Sequence, residues 1–121
     1  MNKDNLAEQF VKEFTNFKSL LEQHVKFNNE ILPHVFFGEC NDYFIDFLVK
    51  EENSRDLVKL FEFFESMAIK GDEFVKELLS VTILERLGDN KEVLNKAYKY
   101  MGKETRKASD EIEKQLERYL K

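Results

Sequence analysis

The sequence predicts an all-α fold, one domain over residues 1–121 that forms a compact bundle of about six helices. Apolar residues recur at spacings of three and four along most of the chain, which is the period of a helix with one buried face. The chain contains one proline and four glycines, too few for a turn-rich β-sandwich or barrel. Its apolar fraction of 42% is sufficient for a core. The short breaks between segments leave a stack of helical hairpins as the alternative architecture.

The first helix is predicted from Asn5 to Asn28. Its apolar stripe has spacings of three or four residues and consists of Leu6, Phe10, Phe14, Phe17, Leu21 and Val25. Asn5 and Glu8 resemble a capping box, in which each side chain accepts a hydrogen bond from a backbone amide at the start of the helix. We therefore expect one continuous helix of about 36 Å.

Five further helices follow, and proline, glycine and N-cap residues mark their ends. The predicted segments are 33 to 49–51, 54–70, 73–87, 91–101 and 103–121. Gly71, Gly88 and Gly102 are predicted to terminate helices, with Gly71 in the left-handed conformation that costs glycine little. Asp72 and Asp89, which directly follow the first two of these glycines, have the residue type preferred at an N-cap.

The second predicted helix has two unlike faces. Its apolar residues fall within about 120° of one another on a helical wheel and are Phe36, Phe37, Cys40, Phe44, Phe47 and Leu48. Glu39, Asp42 and Asp46 fall within about 60° on another side, and Tyr43 lies at the border. We expect a helix anchored by aromatic side chains that presents an acidic ridge.

The net negative charge of the chain is concentrated around this helix. The whole chain carries a formal net charge of −5. Residues 28–58 contain seven acidic and two basic residues, so this window also carries −5 and the remainder sums to zero. Two interpretations are open. The window is either a solvated helix face with an acidic loop, or a docking surface for a basic partner.

Several function classes are disfavoured by composition and spacing. An acidic surface repels nucleic acids and anionic membranes. The chain has no long apolar stretch, and its charged first residues lead us to expect no signal peptide. The single Cys40 is consistent with a cytoplasmic protein. His24 and His34 lie in different segments, and no zinc, di-iron, EF-hand, phosphate-loop or nucleophile motif occurs. We therefore expect no metal, no cofactor and no catalytic residue.

Two further side chains have alternative interpretations. Glu85 shares a stripe with Phe74, Leu78 and Val81 in the fourth predicted helix. The structural interpretation is that Glu85 pairs with a cation of a neighbouring helix or extends to the helix end. The functional interpretation is a partly buried acid used in binding. Phe63 lies at the edge of the apolar surface of the third helix. It either packs against another helix or belongs to a patch for a partner or a dimer.

Two stretches carry a resemblance to known proteins. They are Leu32-Pro33-His34-Val35-Phe36-Phe37-Gly38-Glu39 and Val81-Thr82-Ile83-Leu84-Glu85-Arg86-Leu87. In a small acidic helical chain they resemble a group of uncharacterised bacterial proteins, some of which look like immunity proteins of polymorphic-toxin and contact-dependent inhibition systems. The resemblance implies a cytoplasmic inhibitor without catalysis that binds a cognate toxin domain, often a nuclease.

The leading hypothesis is therefore an immunity protein that covers the basic active cleft of a toxin. Its predicted partner-binding residues are the acids of the charged window and one aromatic anchor, namely Glu39, Asp42, Tyr43, Asp46, Glu51, Glu52 and Asp56. We expect a monomer or a weak dimer. The alternative is a helical adaptor or regulatory domain without catalysis that self-associates through Phe63 of the third helix.

Overall fold

The computed structural model describes residues 1–119, and its regular secondary structure there is entirely helical, as predicted. The α-helices are α1 (Leu6–Glu13), α2 (Lys18–Asn28), α3 (Pro33–Lys50), α4 (Ser54–Lys70), α5 (Glu73–Leu78), α6 (Glu85–Leu87), α7 (Lys91–Tyr98) and α8 (Lys103–Gln115). A 3₁₀ turn (Thr15–Phe17) joins α1 to α2, and a π-helical segment (Leu79–Leu84) joins α5 to α6. No helix within residues 1–119 combines the length and apolar character needed to span a bilayer.

The prediction of one continuous first helix is wrong, because the chain breaks at Phe14. This residue has φ −112° and ψ 78°, outside the helical region. The break separates two rings that a straight helix would place on one side. Phe14 packs against Phe63 of α4 at 5.9 Å between ring centroids, and Phe17 packs against Tyr43 and Phe47 of α3 at 5.8 and 6.3 Å. Packing against two different helices thus overrides the helical periodicity.

The predicted capping box at Asn5 is also wrong. The side-chain oxygen of Asn5 accepts a hydrogen bond from the backbone amide of Asn2 at 2.9 Å, and it caps no amide of α1. Asn2 in turn accepts hydrogen bonds from the amides of Asp4 and Asn5. The residues before the helix therefore form their own hydrogen-bonded turn, which occupies the side chain expected to cap the helix.

The fourth predicted helix is irregular at its centre, where the π-helical segment widens the turn. Asn41 of α3 donates a hydrogen bond to the backbone carbonyl of Thr82 at 2.8 Å, and the Nδ1 atom of His34 lies 2.6 Å from the Thr82 hydroxyl. The wider turn shifts the register, so Val81 is 43% exposed although the regular pattern aligns it with the buried Leu78. The prediction from a helical wheel, which assumes a regular α-helix, is therefore wrong for this π-helical segment.

The glycines end helices without the left-handed conformation predicted for Gly71. Its φ is −69°, and the left-handed caps are instead Asn29 and Glu51, with φ of 63° and 47°. At Gly102 a Cβ atom would lie 2.5 Å from the Glu65 carboxylate, so any larger residue there would displace this side chain. The N-cap predicted at Asp72 is confirmed, because its side chain accepts a hydrogen bond from the Val75 amide. The N-cap predicted at Asp89 is wrong.

Asn90 caps α7 in place of Asp89, and the reason lies at the far end of the chain. The Asn90 side chain accepts hydrogen bonds from the amides of Glu92 and Val93. Asp89 instead binds Arg118 at 2.6 Å. The prediction of helix up to the C-terminus is wrong for residues 116–119, because Arg118 turns back to bind the α6–α7 turn. The last two residues, Leu120 and Lys121, lie outside the described residues.

Phenylalanine rings fill the centre of the bundle. The Phe10 centroid lies 5.2 Å from that of Phe37, 5.9 Å from Phe44 and 5.3 Å from Phe63. Phe63 is 5% exposed and packs against Phe10 of α1, which agrees with the first of its two interpretations and not with the surface patch. Cys40 is fully buried within the same core. The aromatic face of α3 thus anchors the helix that carries most of the predicted site.

Candidate partner-binding cleft

The predicted acidic ridge is present on α3, but it does not include all the residues assigned to the site. Glu39, Asp42 and Asp46 are exposed on one side of the helix, and Tyr43 beside them is 51% exposed. Glu51 lies apart from the ridge. Its left-handed backbone turns its side chain towards α7, so the expectation that it joins one surface with the ridge is corrected.

Most of the ridge carboxylates have partners within the chain. Asp42 accepts from Arg86 at 3.1 Å, and Asp46 pairs with Lys50 at 3.2 Å. Exposed pairs of this kind add little stability, but each cation cancels much of the field of its carboxylate. The ridge is therefore less negative than the acidic residues alone predict.

Glu39 is held by a neutral histidine. The Leu32 amide donates to Nε2 of the buried His24 at 2.9 Å, so that nitrogen carries no proton. The proton is then on Nδ1, which donates to Glu39 at 3.1 Å. His24 of α2 therefore fixes the position of the Glu39 carboxylate.

A cleft of about 430 Å³ lies where the break after α1 meets the turn between α3 and α4. Its floor is apolar and is formed by Phe14, Phe17, Phe47, Leu57 and Leu60. Its four carboxylates belong to Glu13, Asp46, Glu52 and Asp56, and its two ammonium groups to Lys50 and Lys59. The lining therefore carries two net negative charges above an apolar surface. We call this feature the acidic cleft.

Three of the four carboxylates of the acidic cleft have no ion pair within the described residues. Among residues 1–119, Glu13, Glu52 and Asp56 form no ion pair, whereas Asp46 is paired with Lys50. All three are exposed. Asp56 does accept a hydrogen bond from the side chain of Asn53 at 2.8 Å. An exposed carboxylate beside an apolar floor is able to bind a cationic side chain whose stem packs on that floor.

Local backbone structure positions the exposed carboxylates at the edge of the acidic cleft, which we call its rim. Glu51 ends α3 in the left-handed conformation and is held by the Tyr100 hydroxyl at 2.9 Å and the Lys99 ammonium at 3.2 Å. The hydrogen bond from Tyr100, followed by that from Lys99, lowers the pKa of the Glu51 carboxyl below its ordinary value. Asn53 then caps α4 by accepting from the Asp56 amide. Glu51 thus fixes the turn that places Glu52 at the rim of the acidic cleft.

A second cleft of about 240 Å³ adjoins the acidic cleft along the seam between α2 and α3. Asn16, Phe17 and Phe47 line both clefts, and the second is completed by Ser19, Leu20, Gln23 and Tyr43. No charged side chain is among its lining residues. We call it the neutral cleft. Tyr43, predicted as the aromatic anchor, belongs to this cleft.

Sequence analysis did not identify Glu13 or the apolar floor as parts of a site. Glu13 lies outside the acidic window, and two residues of the floor, Phe14 and Phe17, lie at the break after α1. Thr15 and Asn16, which directly follow Phe14, are poor helix formers and were the available signal. The regular spacing of the apolar residues outweighed these two residues in the prediction.

The groups considered for chemistry lie away from both clefts. Neither cleft is lined by His34, Cys40 or Glu85. Burial raises the pKa of the Cys40 thiol far above its ordinary value, and the nearby Glu39 carboxylate raises it further. Glu85 is half-buried and forms no ion pair with residues 1–119, so the expected partner is absent from that range. In the same range no three His, Cys, Asp or Glu side chains are arranged to hold a metal ion.

Comparison with known proteins adds one assignment. No curated protein and no solved structure gives a significant match to this chain. Residues 7–117, which include all the helices except the first residue of α1, match a family described as "Domain of unknown function (DUF7674)". The chain therefore belongs to the DUF7674 family.

Proposed function

We propose that this chain is a non-catalytic inhibitor, an immunity protein that acts in the cytoplasm and neutralises a basic toxin domain by binding it at the acidic cleft. The observation that carries the proposal is the convergence of Glu13, Glu52 and Asp56, none of them ion-paired within residues 1–119, above an apolar floor. The resemblance of the segments 32–39 and 81–87 to immunity proteins supports the same function.

A nuclease domain is the toxin class that suits this surface. A nuclease must attract phosphate groups, so its substrate-binding surface carries Lys and Arg side chains. The carboxylates of the acidic cleft offer those cations an alternative anionic partner, and the floor packs against their aliphatic stems. Complementary charge also accelerates association, which an inhibitor of a lethal enzyme requires.

Only some of the predicted partner-binding residues lie in or beside the acidic cleft. Asp46, Glu52 and Asp56 line it, and Tyr43 lies in the adjoining neutral cleft. In the proposed complex Glu39 contributes charge from the ridge, whereas Arg86 cancels much of the field of Asp42. Glu51 holds the turn between α3 and α4.

The alternative, self-association through Phe63, is less well supported. Phe63 is buried against Phe10 and Phe14, so Phe63→Asp would unfold the core before it tested an interface. A light-scattering mass of the unmodified chain is the better measurement. We expect a monomer at micromolar concentration.

The proposal is tested by co-expression with the protein encoded by the neighbouring reading frame. We expect that protein alone to arrest growth and the wild-type chain to restore it. The double variant Glu13→Lys/Glu52→Lys should fail to restore growth, because it replaces the two exposed rim acids with like charges facing a basic partner. The matched control is Glu77→Lys/Glu111→Lys, which makes the same charge change at exposed positions outside the acidic cleft.

Two outcomes would overturn the proposal. One is a neighbouring gene product that does not affect growth. The other is a Glu13→Lys/Glu52→Lys variant that protects as well as the wild type and folds to the same thermal midpoint. A loss of protection by both double variants would mean that total charge, and not the acidic cleft, determines binding.

A further inference from the structure

The acidic and neutral clefts together form one groove whose two ends differ in chemistry. Phe17 and Phe47 lie between the two ends and line both. Beyond them on one side are the rim carboxylates, and on the other are Ser19, Gln23 and Tyr43, which carry no formal charge. A ligand segment that lies along the groove therefore meets negative charge at one end and neutral, partly apolar side chains at the other.

Exposed aromatic side chains continue from the neutral end. Tyr43 is 51% exposed and Phe47 39%. Phe27 of α2 is 88% exposed, and it follows Gln23 by four residues and Leu20 by seven, so the three lie on one side of the helix. Large apolar side chains left in water beside a groove are typical of an interaction surface.

We infer that the groove binds a partner segment that carries a Lys or Arg residue and, within a few residues of it, an aliphatic or aromatic residue. This inference rests on the proposed function, since it specifies what the partner presents to the acidic cleft. The cation contacts the rim acids Glu13 and Glu52, and the apolar side chain packs between Leu20 and Tyr43. Charge complementarity selects the occupant at one end, and apolar contact selects it at the other.

Helix α3 gives the scale of the groove. Tyr43 lines the neutral cleft and Lys50 the acidic cleft, and these residues are seven positions apart on the same helix. A rise of 1.5 Å per residue separates them by about 10 Å along the helix axis. An extended segment covers that distance with about three residues. A short flexible peptide can therefore reach both ends at once.

The experiment is an amide chemical-shift titration of the full chain with three capped peptides. The first probe is Lys-Arg-Ser-Gly-Leu-Phe, the second replaces Leu-Phe with Ser-Ser, and the third replaces Lys-Arg with Glu-Glu. We expect the first to bind with a Kd of about 1 mM or tighter and to shift the amides of Glu13, Glu52, Ser19 and Gln23 together. The second should bind about tenfold more weakly and shift only the acidic end. The third should cause no saturable shift.

The outcomes separate this inference from the proposed function. If the first two peptides bind equally well and shift only Glu13 and Glu52, the acidic cleft remains a site for cations and the two-ended groove is wrong. If no peptide shifts Glu13 or Glu52, both the groove and the proposed function fail. A dimer by light scattering that Glu52→Lys dissociates would assign the groove to a second copy of this chain and overturn the inference.

Discussion

Where α6, α7 and α8 meet, charged side chains bind one another, whereas at the acidic cleft three carboxylates have no ion pair within residues 1–119. Arg118 binds Glu113 and Asp89 at 2.6 Å each and the Glu85 carbonyl at 3.0 Å. At the acidic cleft, Glu13 and Glu52 are exposed and form no such contact in that range. We refer to the first region as the closed end.

The difference separates charges that support folding from charges available for binding. Glu113 is 7% exposed, and a buried carboxylate is tolerated only when it is paired and hydrogen-bonded. The exposed acids of the acidic cleft need no partner in order to fold, and their mutual repulsion lowers stability slightly. Substitutions at the closed end should therefore change the free energy of unfolding. Substitutions at the acidic cleft should change binding.

The largest expected effect on stability is at Glu65, which attaches α8 to α4. Its carboxylate accepts hydrogen bonds from the Thr105 amide at 2.8 Å, the Thr105 hydroxyl at 2.7 Å and the Glu104 amide at 3.0 Å. Glu65→Ala should lower the free energy of unfolding by about 2 kcal/mol, measured by urea titration, because it leaves amides at the start of α8 without acceptors. The control Glu52→Ala should change it by less than about 0.5 kcal/mol. Equal losses would remove the distinction between acids that support folding and acids available for binding.

A smaller loss is expected for Arg118→Gln at the closed end. This change leaves the buried Glu113 without its cation, but the residues after α8 can separate from the bundle and expose the carboxylate to water. We expect a decrease of about 1 kcal/mol in the free energy of unfolding. Lys50→Gln, which breaks an exposed pair with Asp46, is the control and should cost less than about 0.5 kcal/mol. A larger effect from the control would contradict the comparison.

The contribution of Glu65 should depend on pH. Burial alone would raise the pKa of Glu65, but the hydrogen bonds from the Thr105 amide, the Glu104 amide and the Thr105 hydroxyl together lower it. A lowered pKa in the folded state means that the carboxylate stabilises the fold above its unfolded pKa and loses this contribution as pH falls through the folded pKa. The stability difference between wild type and Glu65→Gln should therefore shrink between about pH 5 and about pH 3. A stability difference that grows as the pH falls would contradict a lowered pKa of Glu65 in the folded state.

The smallest expected effect is at Lys59, a cation of the acidic cleft without an ion pair in residues 1–119. Lys59→Gln makes the lining more negative, so binding of the peptide Lys-Arg-Ser-Gly-Leu-Phe should tighten about twofold to threefold at low salt. The free energy of unfolding should stay within about 0.5 kcal/mol of the wild type. Weaker binding of the peptide would contradict this prediction, because it would show that Lys59 makes a favourable contact with the peptide and does not repel it.

The sequence was sufficient to predict the fold class and the buried face of α3, because spacings of three and four record which side chains face the core. Phe36, Phe44 and Leu48 are fully buried, as that pattern indicates. The same periodicity failed at Phe14 and at the π-helical segment. In both places the deciding contacts come from other helices, such as that from Asn41 to the Thr82 carbonyl. Such contacts leave no local pattern.

The candidate site was only partly predictable for a related reason. Three acids of the predicted window, Asp46, Glu52 and Asp56, line the acidic cleft. The window could not show that the cations of Arg86 and Lys99 bind Asp42 and Glu51, since these contacts join residues more than forty positions apart. Pairing across the fold, and not the number of acids in a window, determines which charges are left for a partner.

The central claim is that the unpaired acids of the acidic cleft serve binding and not folding. Its most direct test measures both properties on one variant, Glu13→Gln/Glu52→Gln, which removes two charges and keeps the side-chain shape. Asp56 is left unchanged because its charge also favours the N-terminus of α4. The account predicts a free energy of unfolding within about 0.5 kcal/mol of the wild type, and binding of Lys-Arg-Ser-Gly-Leu-Phe that is at least about fivefold weaker. Unchanged binding, or a loss of stability above about 1 kcal/mol, would contradict it.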